Sequence, residues 1–236
     1  MVLVAGGAFE LELNLRICVC HRGHREHREE STAAMSELVN EADFLAATAV
    51  VDWQEPTVRS LAVELAEGDE DSAHIAQRCF EWVRDEIQHC MDFQRIEVTC
   101  NASEVLAVGT GFCYAKSHLL AALLRANSIP AAFCYQRLSI DGFGPPFSLH
   151  GFNAVWLPNH GWYRIDARGN KVGVSAEFTP PVERLAFPIQ FKGEFELPGV
   201  FAEPLPEIVA ALTNHKRADV LAANLPDVSD VIAITD

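Results

Sequence analysis

A thiol at the start of a helix, an imidazole at the start of a strand and a carboxylate on the strand that returns beside it can together transfer acyl groups. In this chain those positions are Cys113, His150 and Asp166. The chemistry needs a thiolate, a base that accepts and returns a proton, and donors for a tetrahedral oxyanion. Cys113 follows the turn Gly109-Thr110-Gly111, where the chain is set to enter a helix. Unpaired backbone N–H groups and the positive end of the helix dipole favour a thiolate there. The Cys113 amide can itself face an oxyanion, and the glycines let a substrate backbone approach. Most cysteines are small buried hydrophobes. Cys79, Cys90, Cys100 and Cys134 are read that way because none shares this context.

The base follows by elimination. His118 lies five residues after Cys113, about 140° around a helix, and points away from the thiol. His160 falls in a hairpin turn, where solvated polar residues are ordinary, and His74 and His89 fall at the ends of an earlier helix. His150 begins a strand behind a proline-rich loop, a position that can face a cleft. An aspartate within Tyr163-Arg164-Ile165-Asp166-Ala167 is costly unless paired. His150 is its natural partner; Arg164, Arg168 or a strand-end turn are the alternatives. For the two to share a face, the loop between the strands needs an odd residue count, or a strand needs a bulge. Asn159-His160-Gly161 with a left-handed Gly161 meets that parity and leaves the register open.

Elements to hold these residues are legible in the pattern. Apolar residues recur at helical spacing from Thr57 to Glu67 and from Ser72 to about His89, as in Ile75, Cys79, Trp82, Val83 and Ile87. The break at Gly68-Asp69 separates these two helices, with Ser72 as N-cap. A third helix runs from Cys113 to about Asn127, with Leu119, Leu120, Leu123 and Leu124 as its buried face. Strands follow over Ala131 to Arg137, Gly151 to Leu157 and Trp162 to Ala167. Beyond Ser175 the chain is punctuated by proline, with one more helix near Glu207 to His215. Trp82, Phe112, Tyr114 and Trp156 are read as core before cleft.

The 236 residues are 49% apolar, ample for a buried core. A formal charge of −15 with four lysines, Lys116, Lys171, Lys192 and Lys216, argues against nucleic acid or an anionic membrane as partner. No run has the length of a membrane span, and the start lacks the pattern of a secretion signal, so the cytoplasm is expected. Seven cysteines in no framework spacing fit reduced thiols. Residues 1–34 end in a charged stretch without apolar periodicity and are expected to be a disordered or non-native extension, with Met35 as the natural start. The Cys18-x-Cys20-His21 group with His24 and His27 has zinc-ligand chemistry but no second spaced pair to complete a finger. Residues 35–236 are expected to form one domain with its core over about 75–170 and an extension over about 175–236.

Several of these segments carry a resemblance. Gly111-Phe112-Cys113, the helix end Leu119 to Ala131, His150-Gly151-Phe152-Asn153-Ala154-Val155-Trp156-Leu157, and Gly161-Trp162-Tyr163-Arg164-Ile165-Asp166 resemble the bacterial transglutaminase-like family over about residues 75–170. The resemblance implies an α+β, papain-like fold in which the cysteine helix packs on an antiparallel sheet carrying His150 and Asp166. It implies Cys113 as nucleophile, His150 as base and Asp166 as the group that orients the base. The chain departs from the commoner pattern at Gly151 and Phe152, where many members have a small residue and then tryptophan.

The function expected is attack by Cys113 on an amide or peptide bond through a thioester, with hydrolysis favoured over cross-linking because water is the default acceptor. The substrate is a peptide, a protein or a small amide, and neither a metal nor an organic cofactor is required. Two other readings stay open. Arylamine N-acetyltransferases share the Cys, His, Asp order, and a transglutaminase fold can also serve as a partner-binding module without catalysis.

Overall fold

The computed structural model describes residues 41–228. The Cys18 to His27 group, Met35 and the rest of the N-terminal extension lie outside the described residues, as do the last eight of the chain. The elements are mixed helices and a four-stranded antiparallel sheet, an α+β arrangement.

After a 3₁₀ turn at Glu41–Phe44, helix α1 spans Pro56–Ala66 and α2 spans Ser72–Glu86. Pro56 opens α1, where its missing N–H leaves no bond unmade. The cap of α2 is Asp71 and not Ser72: its Oδ1 accepts the N–H of Ala73 at 2.7 Å and of His74 at 3.4 Å. A carboxylate one residue earlier satisfies two orphan donors and suits the helix dipole, so it outcompetes the hydroxyl. The helix also stops at Glu86, before the expected His89. Gln88–His89 instead forms a short strand, β1, pairing in parallel with β2 at Thr110–Gly111. Between them lies α3, Ala102–Val108, ended by Gly109 in the left-handed conformation at φ 72°.

Helix α4, Cys113–Ala126, is the centre of the molecule. Its leucines at 119, 120, 123 and 124 are fully buried, each worth about 1.5–3 kcal/mol of transfer. The helix has no solvent face, however. Lys116, Ser117, His118 and Arg125 are buried as well, and each is hydrogen-bonded. Lys116 Nζ donates to the carbonyls of Arg84 and Ile87 at the end of α2, and Arg125 donates to those of Ala46, Ala131 and Ala202. These long polar side chains are tethers between elements, so removing one leaves carbonyls buried without a donor.

The sheet contains β3 at Ala131–Ser139, β4 at Phe147–Leu157, β5 at Gly161–Ile165 and β6 at Phe195–Glu196, in the order β5-β4-β3-β6. Both of its faces are covered. Leu149, Val155 and Leu157 of β4 join the α4 leucines in the main core, while Phe152 and Ala154 face a smaller cluster with Phe44, Ala132, Cys134 and Val200. That double burial explains why β4 reads as a nearly continuous apolar run and not as an alternation. Helices α5, Pro206–Asn214, and α6, Ala218–Ala222, follow the sheet. The chain then returns to the sheet, where Leu149 N donates to Pro226 O at 2.8 Å. Among the described residues no helix is long and apolar enough to cross a membrane.

Candidate active site

Cys113 is the first residue of α4, and Phe112 precedes it as an N-cap with no side-chain acceptor. The first backbone bond of the helix runs from Lys116 N to Phe112 O at 2.9 Å. The N–H groups of the opening turn are therefore not capped by a side chain, as an anion-binding helix start requires. Gly111 is fixed by crowding. A Cβ there would sit 3.0 Å from the Ala115 Cβ and 3.2 Å from Thr99 Oγ1, which itself donates to Thr110 O at 2.8 Å.

The hairpin positions the other two groups. Its ladder runs from Asn153↔Ile165 to Leu157↔Gly161, so the loop is Pro158 to His160 and Gly161, at φ +70°, closes the ladder. The loop has the expected odd count but starts one residue earlier. With this register His150 and Asp166 share a face as diagonal neighbours, and His150 Nε2 lies 2.8 Å from Asp166 Oδ2. Asp166 is 1% exposed and His150 6%. The other bonds of Asp166 are to backbone: Oδ1 accepts Arg168 N at 3.1 Å and Oδ2 accepts Ala186 N at 3.1 Å. The alternative partners are engaged elsewhere, Arg164 with Glu183 and Glu196, and the Arg168 guanidinium with Asp92. Phe152 stacks parallel to the His150 ring at 5.9 Å and Phe187 packs edge-on at 5.0 Å.

Charge shapes this pair. Burial pushes the His150 imidazole down, but the Asp166 carboxylate, Cys113 and hydrogen bonds to both outweigh it and lift the ring to about 10. Burial likewise opposes the Asp166 carboxylate, and the His150 charge with three hydrogen bonds holds it below the usual carboxylate range. With Nε2 committed to Asp166, Nδ1 is the ring's remaining position for the thiol. The structure thus brings Cys113, His150 and Asp166 to one place. Burial raises the thiols of Cys79 and Cys90 to about 12 and that of Cys100 to about 11. His118 is a core residue, its Nδ1 2.7 Å from Cys100 O and its ring edge-on to Phe133.

Three features beside the site have roles that sequence reasoning did not assign. His89 sits in β1 opposite Gly111, edge-on to Phe112, with Nδ1 buried without a hydrogen bond and 3.8 Å from Asp92 Oδ2. Burial and the Arg168 charge lower that ring to about 3, so it is neutral. Asp92 gathers Arg168 and Lys171 at the same edge. Gly151 is required because a Cβ would meet the Tyr114 ring at 2.8 Å and the Tyr135 ring at 3.3 Å. Only the Gly151 departure was visible in the sequence; the isolated His89 had no periodic signal. Among the described residues no group of three or more His, Cys, Asp or Glu side chains is placed to hold a metal ion.

Comparison with known proteins bears on this geometry. Three solved structures are similar to parts of the chain. One is a Cytophaga hutchinsonii protein provisionally described as a cysteine protease, at 18% identity over 56% of this chain and 44% of that one, TM-score 0.45. Another, from Parabacteroides distasonis and provisionally described as a protease, is 13% identical over 63% of this chain and 32% of its own, TM-score 0.38. The periplasmic domain of TgpA from Pseudomonas aeruginosa is 19% identical over 55% and 48%, TM-score 0.41. The chain therefore spans less than half the length of each of these structures. Curated proteins give no match. The family profile described as Transglutaminase-like superfamily matches residues 59–167. That stretch includes Cys113, His150 and Asp166, so over residues 59–167 this chain is similar to the transglutaminase-like superfamily.

Proposed function

We propose that this chain is a cysteine-dependent acyl-transfer enzyme that opens an amide or peptide bond through a thioester, with water as the usual acceptor. The observation that carries the reading is the buried His150 to Asp166 hydrogen bond of 2.8 Å, with Cys113 acting on the same ring from an uncapped helix start. Cys113 sulfur attacks the acyl carbon, and the carbonyl electrons move to oxygen, which faces the N–H groups of the α4 start. His150, protonated at neutral pH by its raised affinity, gives its proton to the leaving amine as the C–N bond breaks. Water then attacks the thioester, His150 takes the water proton, and the carboxylic acid leaves with the thiol restored. Asp166 holds the ring's orientation and offsets its charge throughout. Residues after Ser175 belong to the same unit in this reading, because Ala186 N is one of the donors that fix Asp166.

The test is a panel of amide-based acylating probes read by intact mass. The expected result is a single acyl adduct on Cys113 that forms at least a hundredfold more slowly in His150→Ala. No adduct at Cys113, or the same rate without His150, sinks the reading.

A further inference from the structure

The tip of the β3–β4 hairpin and the loop beside it carry an apolar surface for which the chemistry above has no use. Phe143 is 91% exposed, Ile140 54%, Phe191 40% and Ile189 38%. The Phe143 and Phe191 rings lie 6.4 Å apart. Both segments are firmly fastened. Ser139 Oγ accepts the N–H groups of Gly142, Phe143 and Gly144 at 3.0 to 3.1 Å. Glu194 accepts those of Ser139, Gln190 and Phe191 at 2.8 to 2.9 Å. Rings presented to water on backbone held this way mark a contact surface.

The chain links that surface to the candidate active site. Phe187, two residues before Ile189, packs on the His150 ring at 5.0 Å, and the chain from there leads out to Phe191 at the hairpin tip. The ladder measures the interval. From the pair Gln136↔His150 to Ser139↔Phe147 is three steps of strand, about 10 Å. An extended peptide with its acyl carbon at Cys113 covers that interval in about three or four residues, whereas a small amide does not reach it.

Resting on the acyl-transfer reading, we propose that the substrate is an extended polypeptide whose apolar side chains, a few residues from the reacting bond, pack on Phe143, Phe191, Ile140 and Ile189. It is tested with two fluorescein-labelled peptides of equal length, one with leucine at alternate positions and one with serine in those places. Binding to Cys113→Ala protein is read by anisotropy, and acylation of native Cys113 by p-nitrophenyl acetate is measured in parallel. The leucine peptide should bind at least fivefold more tightly. Phe143→Ser and Phe191→Ser should each erase most of that preference while leaving acylation by the small ester within twofold. Equal binding of the two peptides, a preference that survives both substitutions, or a stable dimer dissolved by Phe143→Ser would each overturn the proposal, the last by making the surface a contact between copies. Failure of the ester to acylate Cys113 would instead strike the catalytic reading, and the leucine preference would be judged separately.

Discussion

The stretch from Cys113 to Asp166 and the irregular chain from Ser175 to Leu205 meet at one carboxylate, and they are held by different means. In the first, a helix and a hairpin set every side chain through regular backbone bonds. In the second, short backbone bridges are supplemented by side chains that take single N–H groups: Glu194 takes those of Gln190 and Phe191, Asp166 that of Ala186, and Tyr163 Oη that of Thr179. The proposed reacting groups thus sit where a displacement would disturb a whole element, while the walls around them sit on chain that local substitutions can reshape. Substitutions in the first region should therefore alter chemistry, and those in the second should alter what is bound.

The largest effect belongs to the thiol. Cys113→Ala should abolish acylation by amide or ester probes while changing the melting temperature by only a few degrees, since it removes one sulfur at a helix start. Next comes His150→Ala, which should cost about 10²–10⁴ in acylation rate. It also leaves Asp166 buried without its charge partner, so the melting temperature should fall as well. Differential scanning calorimetry beside the rate assay separates the two losses.

Gly151→Ala sharpens the comparison, because it adds one methyl inside the regular region. That methyl meets Tyr114, the residue after Cys113, so relief must move either the helix start or β4. Overpacking of this kind costs about 1–3 kcal/mol. A rate loss of about tenfold or more, in protein that remains folded, is expected from the misplaced thiol. Activity equal to the native protein would show that the Tyr114 contact does not align the site.

The pH dependence of stability follows from the same pair. His150 is raised above its unfolded value of 6.5, so its contribution is full below that pH and is lost as pH rises through about 10. Asp166 is lowered, so its contribution is present above 3.8 and is lost as pH falls below it. Thermal melts should show a decline between pH 6.5 and 10 that is several degrees larger in the native protein than in His150→Gln. The smallest effect is in the second region. Glu194→Gln should lower stability by about 1 kcal/mol through weaker bonds to the 189–194 turn and leave acylation by a small ester unchanged.

That contrast also sets what was legible. Helix α4, the hairpin strands and the pairing of His150 with Asp166 followed from apolar period, turn residues and the cost of a lone buried aspartate, all of them signals local to a regular element. The misses have physical reasons. Asp71 capped α2 in place of Ser72 because a carboxylate serves two donors at once. The bridge between Gln88–His89 and Thr110–Gly111 is only two residues long on each side, too short to show a period. The strand β6 and the donor Ala186 gain their roles from distant partners, Gln136 for Glu196 and Asp166 for the Ala186 amide, and spacing along the chain does not encode them.

The central claim is that Cys113 and His150 form one reactive unit, and alkylation tests it most directly. Iodoacetamide at pH 6, followed by intact mass and peptide mapping, should label Cys113 well before Cys79, Cys90, Cys100 and Cys134, whose burial keeps the first three protonated. His150→Ala should slow that labelling by about tenfold or more, and Asp166→Asn by less, because the aspartate acts through the ring. If Cys113 reacts no faster than the other thiols at pH 6, and the loss of His150 leaves its rate unchanged, the account is contradicted and the fold serves binding instead of catalysis.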